Sequence, residues 1–372
     1  MANLAFERDS PEAGEPLNFT LGINNQGEQM ITEHGKPEGE ETHQMRAAFY
    51  TEQGSARNVF QVGDQPAPLP GPSEVRVKLH TSGVNPSDWK VRKGGFGRGL
   101  AAPLVIPHSD GAGEIDAVGL GVPSSRIGER VWVWNGQWKR AFGTAAEYIA
   151  LPSAQAVTLP SNIGYAEGAC LGVPAFTAMH AVRVVQAGPG VTVLISGGAG
   201  AVGHYAIQFA KARGARVITT VSGVAKARHA QAAGADEVIN YRTEDVGARV
   251  KALTNNRGVD AIIEMDLSGN AKYYPAILRP HAIVAVYGMS SAEATLPTLW
   301  LLQNSVTIRF LFVYEMSAED RVAEIEELNG LLKQSSLIHT IACRLPLSEI
   351  AESHDAVERG NHIGNVILDI AN

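Results

Sequence analysis

The stretch ISGGAGAVGHYAIQFAKARG, residues 195–214, decides how this chain is read. Four of its first nine residues are glycine, and Gly198, Gly200 and Gly203 are spaced as G-x-G-x-x-G. That pattern alone is common, so its surroundings carry the weight. The apolar run VTVLIS precedes it, and behind it Val202, Ala206, Phe209 and Ala210 recur at helical spacing until Gly214, a fitting C-terminal cap. Strand, glycine turn and helix in this order let the backbone approach a pyrophosphate, with the free N–H groups and positive dipole of the helix start beside it. The competing reading of the run is a purely structural turn.

Downstream, RVITTV, a helix ending at Gly234, EVIN, VDAIIEM, HAIVAVYG and SVTIRFLFV alternate strands with helices to about residue 310. This alternation implies an α/β fold with a parallel, doubly wound sheet. Upstream, from Met45 to about 160, EVRVKLHTSGV, GAGEIDAVG and ERVWVW are short strands between Gly and Pro turns. After residue 310, SAEDRVAEIEELNGLL places Val322, Ile325, Leu328 and Leu332 on the expected apolar face of a helix, and HIGNVILDI reads as a strand.

The 372 residues, 45% of them hydrophobic, suffice for two domains with a substantial core. The net charge of -7 resides in the first 44 residues, where nine acids face only Arg8 and Lys36; residues 45–372 carry 29 acids and 29 basic residues. A neutral body offers no electrostatic footprint for nucleic acid. Residues 1–44 are polar, acidic and without sustained periodicity, which predicts a disordered or loosely attached extension before a stretch at Met45 that resembles a natural N-terminus. Two distant cysteines, Cys170 and Cys343, exclude a disulfide framework and a four-cysteine zinc site. No apolar run reaches the roughly 20 residues of a membrane span and no signal-peptide layout opens the chain, so a cytoplasmic protein with no membrane partner is expected.

An NAD site places Asp or Glu at the end of the second strand to bind the ribose diol. Here RVITTV runs into Ser222 and Gly223, then Lys226 and Arg228, and Tyr241 follows the third strand. A neutral pocket with cations suits a 2′-phosphate, hence NADPH. Lys226 and Arg228 can equally be solvated helix residues, and Tyr241 a surface-packing residue.

The chain from Met45 onward resembles the zinc-free quinone oxidoreductases, the ζ-crystallin type, of the medium-chain dehydrogenase/reductase superfamily. The resemblance rests on SGVNPSDWKVRKG (82–94), PHSDGAGEIDAVG (107–119), GERVW (128–132), GTAAEY (143–148), EGACLGVPAFTA (167–178), the glycine run, GADEVINYR (234–242) and GVDAIIEM (258–265). It implies a Rossmann domain, residues 169–310, inserted into a β-rich GroES-like catalytic domain, residues 45–168 and 311–372, with the active site between them. Zinc-dependent members carry Cys, His and Cys where this chain has Asn85, Ser109 and Val173, so no metal is expected; His108, one position away, would stand alone as a ligand. The resemblance assigns Asn85 to the nicotinamide region as the catalytic candidate. Thr177, Gly198, Gly200, Ala201, Val202, Gly203, Ser222, Lys226, Tyr241, Gly288 and Asn361 are its cofactor-binding candidates, with His362 beside Asn361. Lys90 and Phe96 stand where quinone reductases often carry tyrosines.

The implied activity is NADPH-dependent hydride transfer to a quinone. Its alternatives are reduction of an enone, alkenal or enoyl thioester on the same scaffold, and, in another class, a structural or RNA-binding role for an NADPH-binding protein. Without a Lewis acid, acceptors that are already electrophilic are favoured. Trp134 and Trp138 flank the expected cleft, where they either stack on a flat acceptor or serve packing. A homodimer is expected through SVTIRFLFV at the sheet edge.

Overall fold

The computed structural model describes residues 19–23, 29–33, 43–97 and 99–370. It divides into two units, 1–43 and 44–372. In the first, Phe19–Ile23 pairs antiparallel with Gln29–Glu33, so the extension holds a hairpin where the sequence predicts no regular element. Two short runs containing β-branched residues, five positions apart in sequence, are enough to pair locally. The remainder of the expected disorder lies outside the described residues.

In the second unit, the six nucleotide-sheet strands are Thr192–Ile195, Arg216–Val221, Glu237–Asn240, Val259–Glu264, Leu278–Val286 and Thr307–Phe310. All their pairings are parallel, and their spatial order is third, second, first, fourth, fifth, sixth. This is the doubly wound order, whose crevice opens at the carboxyl ends of the strands. The first strand is buried along its whole length, as a central parallel strand must be. The last strand, Thr307–Phe310, pairs on one side only, with Leu278–Val286, and Phe310 is exposed.

The other half is a mostly antiparallel sheet around Glu74–Val84, which pairs with Asp110–Val118, Tyr148–Pro152 and the returning strand Asn365–Asp369. The chain therefore leaves this sheet, builds the nucleotide half, and comes back to close it. Its core joins Val75, Val77 and Leu79 to Ile115, Val131, Ile149 and Leu368, all at most 1% exposed.

The helix Ala318–Lys333 touches both halves and departs from the sequence expectation in the face it buries. Glu327 accepts a forked bond from Arg213 at 2.6 and 2.8 Å and Glu324 pairs with His180 at 2.8 Å, while Asn162 Nδ2 donates to the Leu332 carbonyl at 2.9 Å. Its buried face is Arg321, Glu324, Leu328 and Leu332, whereas Val322 is exposed. The rotation follows from Arg321, whose guanidinium lies 4.0 Å from the centre of the Trp134 ring and donates to the Val313 carbonyl. That contact also assigns Trp134 to packing.

Behind this helix, residues 337–340 are fastened to the glycine-run helix, Ala201–Ala212. The Ile338 N–H donates to Gln208 Oε1 at 2.7 Å, Gln208 Nε2 donates back to the Ile338 carbonyl at 3.0 Å, and the Tyr205 hydroxyl bonds His339 Nδ1 at 2.7 Å. Among the described residues no helix is long and apolar enough to cross a membrane.

Candidate functional site

The glycine run folds into a strand, a turn and a helix, and its glycines differ in what they do. Gly197, just ahead of the motif, takes φ +70° and makes the turn. A Cβ on Gly198 would collide with the Thr219 side chain, and one on Gly203 with the Gly197 carbonyl, so both permit close packing of helix on sheet. Gly200 is the N-cap of Ala201–Ala212, and no side chain caps that end. The first N–H groups, of Ala201, Val202 and Gly203, thus remain unclaimed by a capping side chain in the crevice. Gly288 follows Leu278–Val286, and its backbone approaches the Met265 carbonyl too closely for any side chain.

The 2′-phosphate candidates gather at the adjoining strand ends. Val221 pairs with Asn240, and the Tyr241 N–H donates to the Val221 carbonyl at 3.1 Å, which sets Ser222 beside Tyr241. Tyr241 is 51% exposed. Lys226 lies in the first turn of Val224–Ala232, another helix without a capping side chain. It is near enough to His362 to help lower that imidazole's pKa, a shift to which burial contributes most. This brings the Asn361–His362 loop of the catalytic half to the cation of the nucleotide half. Arg228 is exposed.

Asn85 caps the short helix Pro86–Arg92 at the end of the central catalytic strand and is 4% exposed. Its backbone N–H donates to Asp88 Oδ2 at 2.6 Å, and its side-chain Nδ2 donates to Asp110 Oδ2 at 2.8 Å. Asp110 is wholly buried and also accepts from the Val173 N–H, at 2.9 and 3.0 Å to its two oxygens. Burial pushes its carboxyl up to about 7, against the lowering effect of these hydrogen bonds. Of residues 85, 109 and 173, the three positions that the resemblance matches to zinc ligands, Asn85 and Val173 thus bond one carboxylate, that of Asp110. Asn85 and Ser109 offer neutral donors, Val173 offers only its backbone, and Asn85 Nδ2 is already committed, so the donor set does not fit zinc. Nor does His108 supply a ligand: Nδ1 bonds Ser82 Oγ at 2.9 Å and Nε2 bonds His354 Nε2 at 2.9 Å. Burial drives its pKa down to about 3.

Two site residues escape sequence reasoning. Asp110 stands in a quoted motif, and its one signal is an acid opening a strand that becomes buried. Tyr314 arrives from beyond the last nucleotide strand and bonds Ser87 Oγ through its hydroxyl at 2.8 Å. Burial raises its pKa, with Asp88 adding to the effect, so it is a phenol and not a phenolate at neutral pH. Its ring stacks on Trp138, centroids 4.8 Å apart, with Phe312 alongside at 5.2 Å. Thr177 is buried in the first turn of Phe176–Val184.

These two halves and the crevice between them are the architecture of a dehydrogenase. The chain belongs to the medium-chain dehydrogenase/reductase superfamily: residues 71–161 match the alcohol dehydrogenase GroES-like domain and residues 201–331 the zinc-binding dehydrogenase family. It is an oxidoreductase of the quinone-reductase type. A quinone oxidoreductase of Pseudomonas aeruginosa is 32% identical over 318 residues, covering 83% of this chain and 95% of the relative. A mycobacterial structure complexed with NADPH superposes with a TM-score of 0.78 at 29% identity, covering 87% of this chain and 99% of that one. An NAD-dependent alcohol dehydrogenase gives a TM-score of 0.80 at 29% identity, over 88% and 100% of the two chains.

Proposed function

We propose that the enzyme transfers a hydride from NADPH to a quinone without zinc. The observation that carries this reading is that Asn85 and the Val173 N–H are both engaged by Asp110 and, with Ser109, offer neither thiolate nor imidazole, which leaves no Lewis-acid ligand set at the reaction centre. NADPH over NADH is supported by Ser222, Lys226 and Tyr241 at strand ends that carry no acid, with His362 near Lys226. The uncapped start of Ala201–Ala212 would hold the pyrophosphate, and Gly288 would let the cofactor pass close to the backbone. Bound there, NADPH supplies the hydride.

The chain's own residues then supply position. The Asp110 carboxylate orients the Asn85 amide, and an amide held in this way aligns a partner without exchanging a proton near neutral pH. Tyr314 and Trp138 form an apolar wall that excludes water, and the Tyr314 O–H stays a hydrogen-bond donor. With no metal to polarise a simple ketone, the acceptor must bring its own electrophilicity, which quinones do.

The test is NADPH oxidation after dialysis against a strong chelator, with a benzoquinone, an enal, an enoyl thioester and simple alcohols compared. Rapid quinone reduction unaffected by chelation is expected. Activity lost on chelation and restored by zinc, with alcohol oxidation outpacing quinone reduction, overturns the proposal; preference for the enal or thioester favours those acceptors on the same site. We further propose a homodimer through the open edge Thr307–Phe310, where the unpaired backbone and exposed Phe310 suit pairing with a second copy. Light scattering at micromolar concentration should report twice the chain mass, and a monomer mass would exclude it.

A further inference from the structure

The Tyr314 hydroxyl reaches the proposed reaction centre from beyond the last nucleotide strand. Its oxygen lies 2.8 Å from Ser87 Oγ, and Ser87 is the second residue of the helix that Asn85 caps. Ser109, the neighbour of Asp110, also hydrogen-bonds the phenol, and the charges of Asp88 and Asp110 act on it. The backbone that carries the ring is fixed on both sides. The Val313 carbonyl accepts from Arg321, and the Tyr314 carbonyl accepts from Asn135 Nδ2 at 3.0 Å, both donors coming from buried residues. The next residue, Glu315, accepts from Trp138 Nε1 at 3.0 Å and pairs with Lys139 at 2.6 Å. With the ring stacked on Trp138 as well, the phenol is held in one place. A donor fixed before the reaction costs no reorganisation when charge develops beside it.

The protons of this cluster outnumber its bonds. Two hydroxyls that share one hydrogen bond hold two protons, so one O–H of the Ser87–Tyr314 pair points elsewhere. Ser109 adds a third hydroxyl and a second bond, and again one proton is left over. Both serines oppose the burial-driven rise of the phenol pKa, which is the effect of donating to its oxygen. The proton left over is then the phenol's own.

We infer that Tyr314 is a catalytic residue whose O–H donates to the acceptor oxygen on which negative charge grows during hydride transfer. In that step the hydride leaves its carbon on NADPH with the bonding pair and bonds to the acceptor's conjugated system, whose displaced electron pair moves onto the carbonyl oxygen. NADP⁺ remains, and a proton from water completes the neutral product, so the phenol keeps its own proton throughout. A hydrogen bond to an oxygen that becomes anionic strengthens as the charge develops, which is the condition for lowering the barrier. This assignment rests on the quinone-reductase reading and names the group that answers the oxygen's charge in place of a Lewis acid.

The experiment measures the single-turnover rate from bound NADPH to 2-methyl-1,4-benzoquinone and to 2-chloro-1,4-benzoquinone, whose substituents are close in size but leave the acceptor oxygen more and less basic. Tyr314→Phe should slow the methyl compound about a hundredfold, as for one missing donor at a developing oxyanion, and the chloro compound only about tenfold, because the bond strengthens with the oxygen's basicity. Ser87→Ala should slow either quinone by about threefold, since the phenol proton remains. Fluorescence titration should give NADPH the same Kd in Tyr314→Phe and wild type. An unchanged rate in Tyr314→Phe, an equal loss on both quinones, a loss matched by weaker NADPH binding, or a larger loss in Ser87→Ala overturns the inference while leaving quinone reduction intact. If the wild type reduces neither quinone, the quinone reading itself fails, and reduction of crotonaldehyde then decides: a loss of about a hundredfold in Tyr314→Phe upholds the phenol at the acceptor oxygen, and an unchanged rate or no reduction at all removes it.

Discussion

Replacing Asp110 by asparagine should slow turnover and stabilise the fold at the same time, with both effects largest above neutral pH. The carboxylate is fully buried, with its carboxyl raised from 3.8 to about 7. Between those values the folded protein binds a proton that the unfolded chain does not, so the contribution of Asp110 to stability is present below pH 3.8 and is lost as pH rises through 7. The loss is about 1.4 kcal/mol per pH unit, an upper limit of about 4 kcal/mol over the whole span. An asparagine amide avoids that cost and still accepts from the Val173 N–H. The same exchange removes the charge that holds the Asn85 amide. A hydrogen bond to a charged group contributes about 1.5–3 kcal/mol, so kcat/KM should drop by roughly tenfold to a hundredfold at pH 8. In the wild type, kcat/KM should fall as pH drops below 7, with only about one molecule in ten ionised at pH 6. The assay is a pH profile from 5.5 to 9 with saturating NADPH, alongside urea unfolding at the same pH values. An Asp110→Asn enzyme that keeps the wild-type acid limb and rate, or one that loses activity and stability together, refutes the reasoning.

Lys226→Ala should raise KM for NADPH by about tenfold or more and leave KM for NADH within about twofold, as expected for one charge-assisted bond to the 2′-phosphate; equal changes in both reduce Lys226 to a surface residue. His354→Gln should make the protein less acid-sensitive. Burial lowers the pKa of both His354 and His108, so below pH 6.5 the unfolded chain takes up protons that the folded one refuses and stability falls as pH falls. Removing one such group should flatten that fall by up to about 1.4 kcal/mol per pH unit between 6.5 and 4, and parallel unfolding curves for variant and wild type would sink the idea.

Much of the architecture is legible because it is written locally. The strand Glu74–Val84 coincides with EVRVKLHTSGV, and five of the six nucleotide-sheet strands lie within a run picked out by its apolar pattern, while Leu278–Val286 begins three residues ahead of HAIVAVYG. The buried face of Ala318–Lys333 is not legible in this way, since Arg321 turns inward for the sake of Trp134, nearly two hundred positions earlier in the chain. Asp110 and Tyr314 share that difficulty. Their meaning comes from Asn85 and Val173 in one case and from Ser87, 227 positions away, in the other. Asn85, Lys226 and Tyr241 are candidates because their neighbours in sequence form a recognisable pattern.

The fastening of Ile338 decides where the two halves can pivot. Gln208 and Tyr205 tie Ile338 and His339 to the nucleotide half, while the next residue, Thr340, accepts the Asn365 N–H at 2.8 Å through its carbonyl and bonds His204 Nε2 at 3.4 Å through its hydroxyl, so both halves hold it. On this return crossing Thr340 is therefore where the two halves are joined. On the outward crossing the Val173 N–H is clamped to Asp110 and Pro174 follows at once, so the chain there is stiff up to the helix that begins at Phe176. A relative movement of the two halves would therefore load the Val173 to Asp110 bond on one crossing and the Thr340 contacts on the other. Loading and unloading of the crevice would be felt directly by the carboxylate that sets Asn85.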